Sequence, residues 1–93
     1  MQRSSAVITV NGIDRVGIIS TVSSILSKNN VNVANITQTI MQDFFTMVMM
    51  VDISEMTCDF ETLSIELETA GEELGVQVRI QHEAIFNSMH RLS

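Results

Sequence analysis

Several residue types are scarce or missing in this 93-residue chain, and each scarcity excludes something. Proline is absent, so there is no proline-rich linker and no rigid spacer. Trp and Tyr are absent too, and the four aromatic residues are all Phe. Eleven acids face five Lys and Arg residues, a net charge of −6. That sign argues against nucleic acid, whose binders carry a basic face and often exposed aromatics for stacking. A single cysteine, Cys58, excludes an internal disulfide and a cysteine-cluster metal site. It points to a reducing compartment. The first apolar run, Ala6–Val10, is too short for a signal-peptide core, and no run approaches the ~20 residues that span a bilayer. A cytoplasmic protein without membrane contact is expected.

What is present describes one folded domain. Hydrophobic residues make up 45% and charged residues 17%, too apolar a balance for disorder. The length allows a single core, expected over residues 6–82 of a domain spanning 1–93, with a helical tail over 83–92. Charge is unevenly spread. Asp43 to Glu83 holds ten acids and one base, Arg79, a net of −9, whereas residues 1–42 carry a net of +2.

Hydrophobic periodicity gives the order of elements. Residues 6–11 are short and β-branched, a strand, and Gly12 to Gly17 breaks it. Ile18, Ile19, Val22, Ile25 and Leu26 then form a helical stripe opposite serines and Lys28, and Asn29-Asn30 supplies a stop. Val31–Met41 reads as a second strand whose apolar phase shifts near Val33-Ala34, as a β-bulge would produce. Gln42-Asp43 makes a tight turn. Phe44–Val51 is apolar at both parities, which predicts a strand covered on both sides. Phe60, Leu63, Leu67, Ala70 and Leu74 form a helical seam, with Asp59 placed to cap its start and Gly75 to close it. Gly71 inside this helix reads as a liability of roughly 1 kcal/mol. Val76, Val78 and Ile80 alternate with polar residues, a half-buried strand, and Ile85, Phe86, Met89 and Leu92 predict a short amphipathic helix.

The order β-α-β-β-α-β plus a tail helix implies an α+β, ferredoxin-like domain. Its four-stranded antiparallel sheet carries both helices on one face, because each half favours a right-handed crossover. The first and third strands then lie in the centre. The apolar outer parity of the third strand predicts a face that must be covered, by the tail or by a second subunit, so a homodimer is expected.

Gly12–Gly17 is the segment most suggestive of chemistry. It joins a strand to a helix N-terminus, where free N–H groups and the helix dipole suit a carboxylate or other small anion. Asp14 and Arg15 add one charge of each sign, as a zwitterionic amino acid requires. Read more plainly, the segment is a tight turn with an exposed ion pair. Asn32, Asn35, Gln38 and Gln42 bring uncharged amides to the second strand, either for a polar ligand or as a solvent face. His82 and His90 are too far apart along a helix, about 12 Å, to share one metal ion. Cys58 has no resolving cysteine and no identifiable base, so it reads as a passive thiol. No Ser-His-Asp spacing, phosphate loop or metal cluster is evident, and neither a cofactor nor a catalytic residue is expected.

Asp14-Arg15-Val16-Gly17-Ile18-Ile19 after a strand, followed by Val31-Asn32-Val33-Ala34-Asn35-Ile36, resembles the ACT domain family. The stretch from Thr39 to Met47 and the one from Arg79 to Arg91 extend the likeness over nearly the whole chain, to small stand-alone ACT proteins of bacteria and archaea. The resemblance implies the same βαββαβ order and a non-catalytic regulatory module that senses a small ligand, such as an amino acid, between paired domains. Carried over by motif, Asp14, Arg15, Val16, Gly17 and Ile18 match the binding loop of one subunit. Asn32 matches the polar position opening the second strand of its neighbour, with Asn35 and Ile36 close by. Asp14 departs from the pattern, since amino-acid-binding relatives often have Asn there; a carboxylate would have to face the ligand's ammonium group or stand aside. The competing expectation is a regulatory adaptor without a small ligand, docking a regulated protein through its acidic helix and apolar strand faces.

Overall fold

A computed structural model describes residues 4–13 and 16–84 of the chain. Six elements follow in order: β1 (Ser5–Ile13), α1 (Ile18–Lys28), β2 (Asn32–Met41), β3 (Phe44–Asp52), α2 (Phe60–Leu74) and β4 (Val76–His82). The strands form one antiparallel sheet in the order β2-β3-β1-β4, so β1 and β3 are central as expected. The expected C-terminal helix falls on 83–92, of which 85–92 lie outside the described residues.

Local chemistry sets the element ends. Asp59 Oδ1 accepts the Thr62 N–H at 2.9 Å and so caps α2. Gly75, at φ 78°, closes it in the left-handed region, and its N–H returns to the Glu72 carbonyl. At the end of α1, Asn30 takes φ 59°, and Gln42 takes φ 57° in the tight turn between β2 and β3. Asn residues tolerate this region because a short polar side chain offsets the Cβ cost. The pairing of β2 with β3 slips between Val33 and Asn35, a bulge at the position where the apolar phase shifts.

The core lies between the sheet and the two helices. Ala6, Ile8 and Val10 of β1, Phe45, Met47, Met49 and Val51 of β3, and Val76, Val78 and Ile80 of β4 are buried on this side. Ile18, Val22 and Leu26 of α1 and Leu63 and Leu67 of α2 pack on them. Burying each of these side chains larger than Ala6 contributes about 1.5–3 kcal/mol.

Two expectations need correction. Gly71 is no liability: a Cβ there would sit 2.7 Å from Val78 Cγ2 and 2.8 Å from the Val76 carbonyl oxygen. Its missing side chain is what lets α2 lie directly on β4. The open face of the sheet is also less apolar than β3 alone implied. Across the strands Thr39, Thr46, Asn11 and Gln77 are in register, and the next row runs Thr37, Val48, Thr9 and Arg79. Thr46 donates to Asn11 Oδ1 at 3.2 Å. Only Val48, Met50 and the fully buried Val7 interrupt this polar surface, until Ile13, Phe44 and Met41 end it.

Candidate functional site

Asp14 and Arg15 lie outside the described residues. The rest of the candidate loop stands at the sheet end where β1 stops. Val16 is fully exposed and Ile18 is buried as the first anchor of α1. Between them Gly17 is the N-cap of α1 at φ 95°, with no atom within 4 Å of the position a Cβ would take. A side chain would be strained there by the backbone, not by crowding.

The two helix starts differ in a way that matters for ligands. The N-terminus of α2 is satisfied by Asp59 and has Glu61 in its first turn. The Thr62 hydroxyl and N–H hold the Asp59 carboxyl below the usual carboxylate range. Among the described residues, the N-terminus of α1 has neither a side-chain cap nor an acid in its first turn. The first N–H groups of a helix and its positive dipole end stabilise an anionic group brought near them, and the space a Gly17 Cβ would take holds no atom within 4 Å.

The other candidate residues lie along β2, which is exposed over all ten residues and carries no charge. Asn35 and Ile36 are near its middle and face opposite sides of the sheet, because their partners on β3 are Met50 and Met49. Asn35 Oδ1 accepts the Ile36 N–H at 2.8 Å, which leaves its amide N–H₂ to donate. Asn32 pairs with Asp52 at the far end of the sheet. It is about 30 Å along β2 from Met41, at ~3.3 Å per residue. Met41 marks the end where the Gly17 loop stands. The structure therefore does not bring the loop residues and Asn32 together within one chain. Asn32 instead borders a groove of about 260 Å³ with Ser23, Ser27 and Asn30, beside the end of α1.

Sequence reasoning missed one polar knot beside that groove. Asn29 is buried, and its Nδ2 donates to the Ile25 carbonyl at 2.9 Å and to Glu66 Oε1 at 3.0 Å. Its own carbonyl accepts the Thr57 N–H at 3.0 Å, and Lys28 pairs with Glu66. Lys28 first, then Asn29, holds the Glu66 carboxyl below its ordinary range. No local pattern foretells this, since Asn29 and Glu66 are 37 positions apart. Cys58 lies at the edge of the core, where desolvation, then Glu66 and Asp59, push its thiol up, away from the reactive thiolate. His82 stacks on Phe60 with ring centroids 4.0 Å apart; His90 lies outside the described residues. Among the described residues no three His, Cys, Asp or Glu side chains could hold a metal ion, and no helix is long and apolar enough to cross a membrane.

Residues 4–81 match the family model described as the ACT domain. A UPF0237 protein of Methanocaldococcus jannaschii is 55% identical over 89 residues, covering 96% of this chain and 99% of that protein. Among solved structures, an ACT domain protein from Streptococcus pneumoniae superposes with a TM-score of 0.78 at 37% identity, covering 96% of this chain and all of that one. The regulatory subunit of aspartate kinase from Thermus thermophilus shares the fold, with a TM-score of 0.63 at 22% identity over 84% of this chain and 50% of that one.

Proposed function

This chain belongs to the ACT domain family, and on that premise we propose that it is a non-catalytic, cytoplasmic regulatory module that senses an amino acid at a homodimer interface. ACT domains are in general regulatory, ligand-binding modules. The observation that carries the reading is the start of α1 at Gly17, which no side chain caps among the described residues, at the sheet end where the exposed, uncharged edge strand β2 finishes.

An exposed ten-residue edge strand without Lys, Asp, Glu or Pro lacks the usual devices against pairing with another strand. Two copies joined antiparallel through β2 would form a self-complementary interface. Such pairing sets the beginning of one β2 against the end of the other. Asn32 of one subunit then meets the Gly17 end of its partner, closing the 30 Å gap that a single chain leaves open. The exposed Val33, Ile36, Ile40 and Met41 would be covered in the same step. In this arrangement the ligand carboxylate lies on the N–H groups following Gly17. The amides of Asn32 and Asn35 hold its polar remainder, Val16, Ile18 and Ile36 border its side chain, and Asp14 and Arg15 complete the loop.

Thermal-shift screening of the twenty amino acids tests the reading. At least one should stabilise the wild-type protein, by about 2.7 kcal/mol at a hundredfold excess over Kd. Gly17→Asp, which puts a carboxylate at the anion position, should abolish that shift. No shift from any amino acid would overturn the proposal. The adaptor reading is favoured by a different observation: Ile65 is 56% exposed on the acidic face of α2. It predicts salt-sensitive capture of one basic partner, with no effect of amino acids.

A further inference from the structure

The second edge of the sheet is built differently from the first. Among the described residues β4 bonds only to β1, so along Val76–Arg79 alternate N–H and C=O groups point outward without a strand beside them. A groove of about 430 Å³ follows this edge, under the C-terminal half of α2 and past Gly75. Its two walls carry opposite charge. On the helix side are Glu68 and Glu72, one turn apart, and on the open-face side are Gln77 and Arg79. All four are exposed, and among the described residues neither these two carboxylates nor Arg79 enters an ion pair.

We propose that this groove binds an extended peptide segment of a partner protein, added to β4 as a fifth strand, with basic residues toward α2 and an acidic residue toward Arg79. The spacing fits. Glutamates four apart on a helix stand ~6 Å from each other. Residues two apart on a strand are ~6.6 Å apart and point the same way. Two Lys or Arg residues in an i, i+2 pair therefore meet Glu68 and Glu72 together. The residue between them points to the opposite face, where Arg79 favours a carboxylate. Main-chain bonds to β4 supply affinity, and this alternation of charge supplies selectivity. The inference does not depend on the amino-acid reading, because β4 is an edge of the sheet whether or not β2 pairs with a second copy.

The test uses the full chain and a synthetic heptapeptide, acetyl-Thr-Val-Lys-Glu-Lys-Val-Thr-amide, against its charge-reversed form, acetyl-Thr-Val-Glu-Lys-Glu-Val-Thr-amide. The first should perturb the NMR signals of β4 and slow exchange of its amides, binding about fivefold to tenfold more tightly than the second. Glu68→Gln with Glu72→Gln should shrink that preference to the part Arg79 supplies, while Glu61→Gln with Glu73→Gln, an equal change in net charge outside the groove, should keep it whole. N-methylating the peptide amides of one parity should abolish binding, and those of the other parity should leave it intact, because only alternate amides face the edge. No perturbation at millimolar peptide, perturbation centred on β2, or equal loss with the control pair would overturn the proposal.

Discussion

Single residues in this chain are set by what touches them, and their legibility follows from how far away that neighbour is. The Asp59 cap and the Gly75 closure were readable because each acts within its own turn of chain. Asp59→Ala should cost about 1 kcal/mol in denaturant unfolding. Gly71 was misread because its constraint comes from Val76 and Val78, residues in contact only once β4 lies under α2. Gly71→Ala gains ~1 kcal/mol of helix propensity but overpacks a contact worth about 1–3 kcal/mol, so urea unfolding should show a net loss. Glu66 carries a pH signature. Its carboxyl titrates lower in the folded chain than in the unfolded one, held down first by Lys28. Its stabilisation is therefore present above the ordinary carboxylate value of ~4.3 and fades as pH falls through the depressed one. The stability gap between wild type and Glu66→Gln should be open at neutral pH and should close in acid, as followed by urea unfolding at a series of pH values.

Elements were readable where one period dominates. The seam of α2 and the alternation of β4 gave their elements within a few residues, and the phase shift in β2 located the bulge. Two of the candidate positions, Asn35 and Ile36, lie just past that bulge, so it decides which face each amide and apolar side chain takes. The strand β3 was harder. Phe44, Val48 and Met50 made its outer parity look like a second core, yet the residues beside them on β1, β2 and β4 are mostly Thr, Asn, Gln and Arg. A face of a sheet is a property of four strands, and a single strand cannot reveal it. At this scale β2 is the element to perturb. Thr37→Lys, near its middle and exposed, introduces like charges facing each other across the two-fold of a β2 pair. Analytical ultracentrifugation should show the dimer weakened toward monomer, with the circular dichroism of the fold unchanged.

At the level of the whole molecule, a small sheet with helices on one face has two edges, and here they differ. The edge at β2 is long, uncharged and bordered by exposed apolar side chains, while the edge at β4 is short and flanked by charges of both signs. Net charge gave no hint of this division. The net −9 of the second half belongs mainly to α2 and the connection before it, leaving the Gly17 loop and β2 nearly neutral. The sequence identified the candidate residues by motif, but not that one chain holds Gly17 and Asn32 at opposite ends of its sheet. That separation is what makes a shared site the central claim.

Subunit mixing tests it most directly. Gly17→Asp damages the loop half of each site and Asn32→Ala the strand half, so either homodimer should bind no amino acid by titration calorimetry. When the two variants are mixed in equal amounts, unfolded and refolded together, each heterodimer regains one site with both halves intact. Binding should return at about a quarter of the wild-type stoichiometry, with wild-type affinity. Mixtures that stay silent although the wild-type protein binds, or an Asn32→Ala homodimer that binds like wild type, would contradict a site shared between subunits.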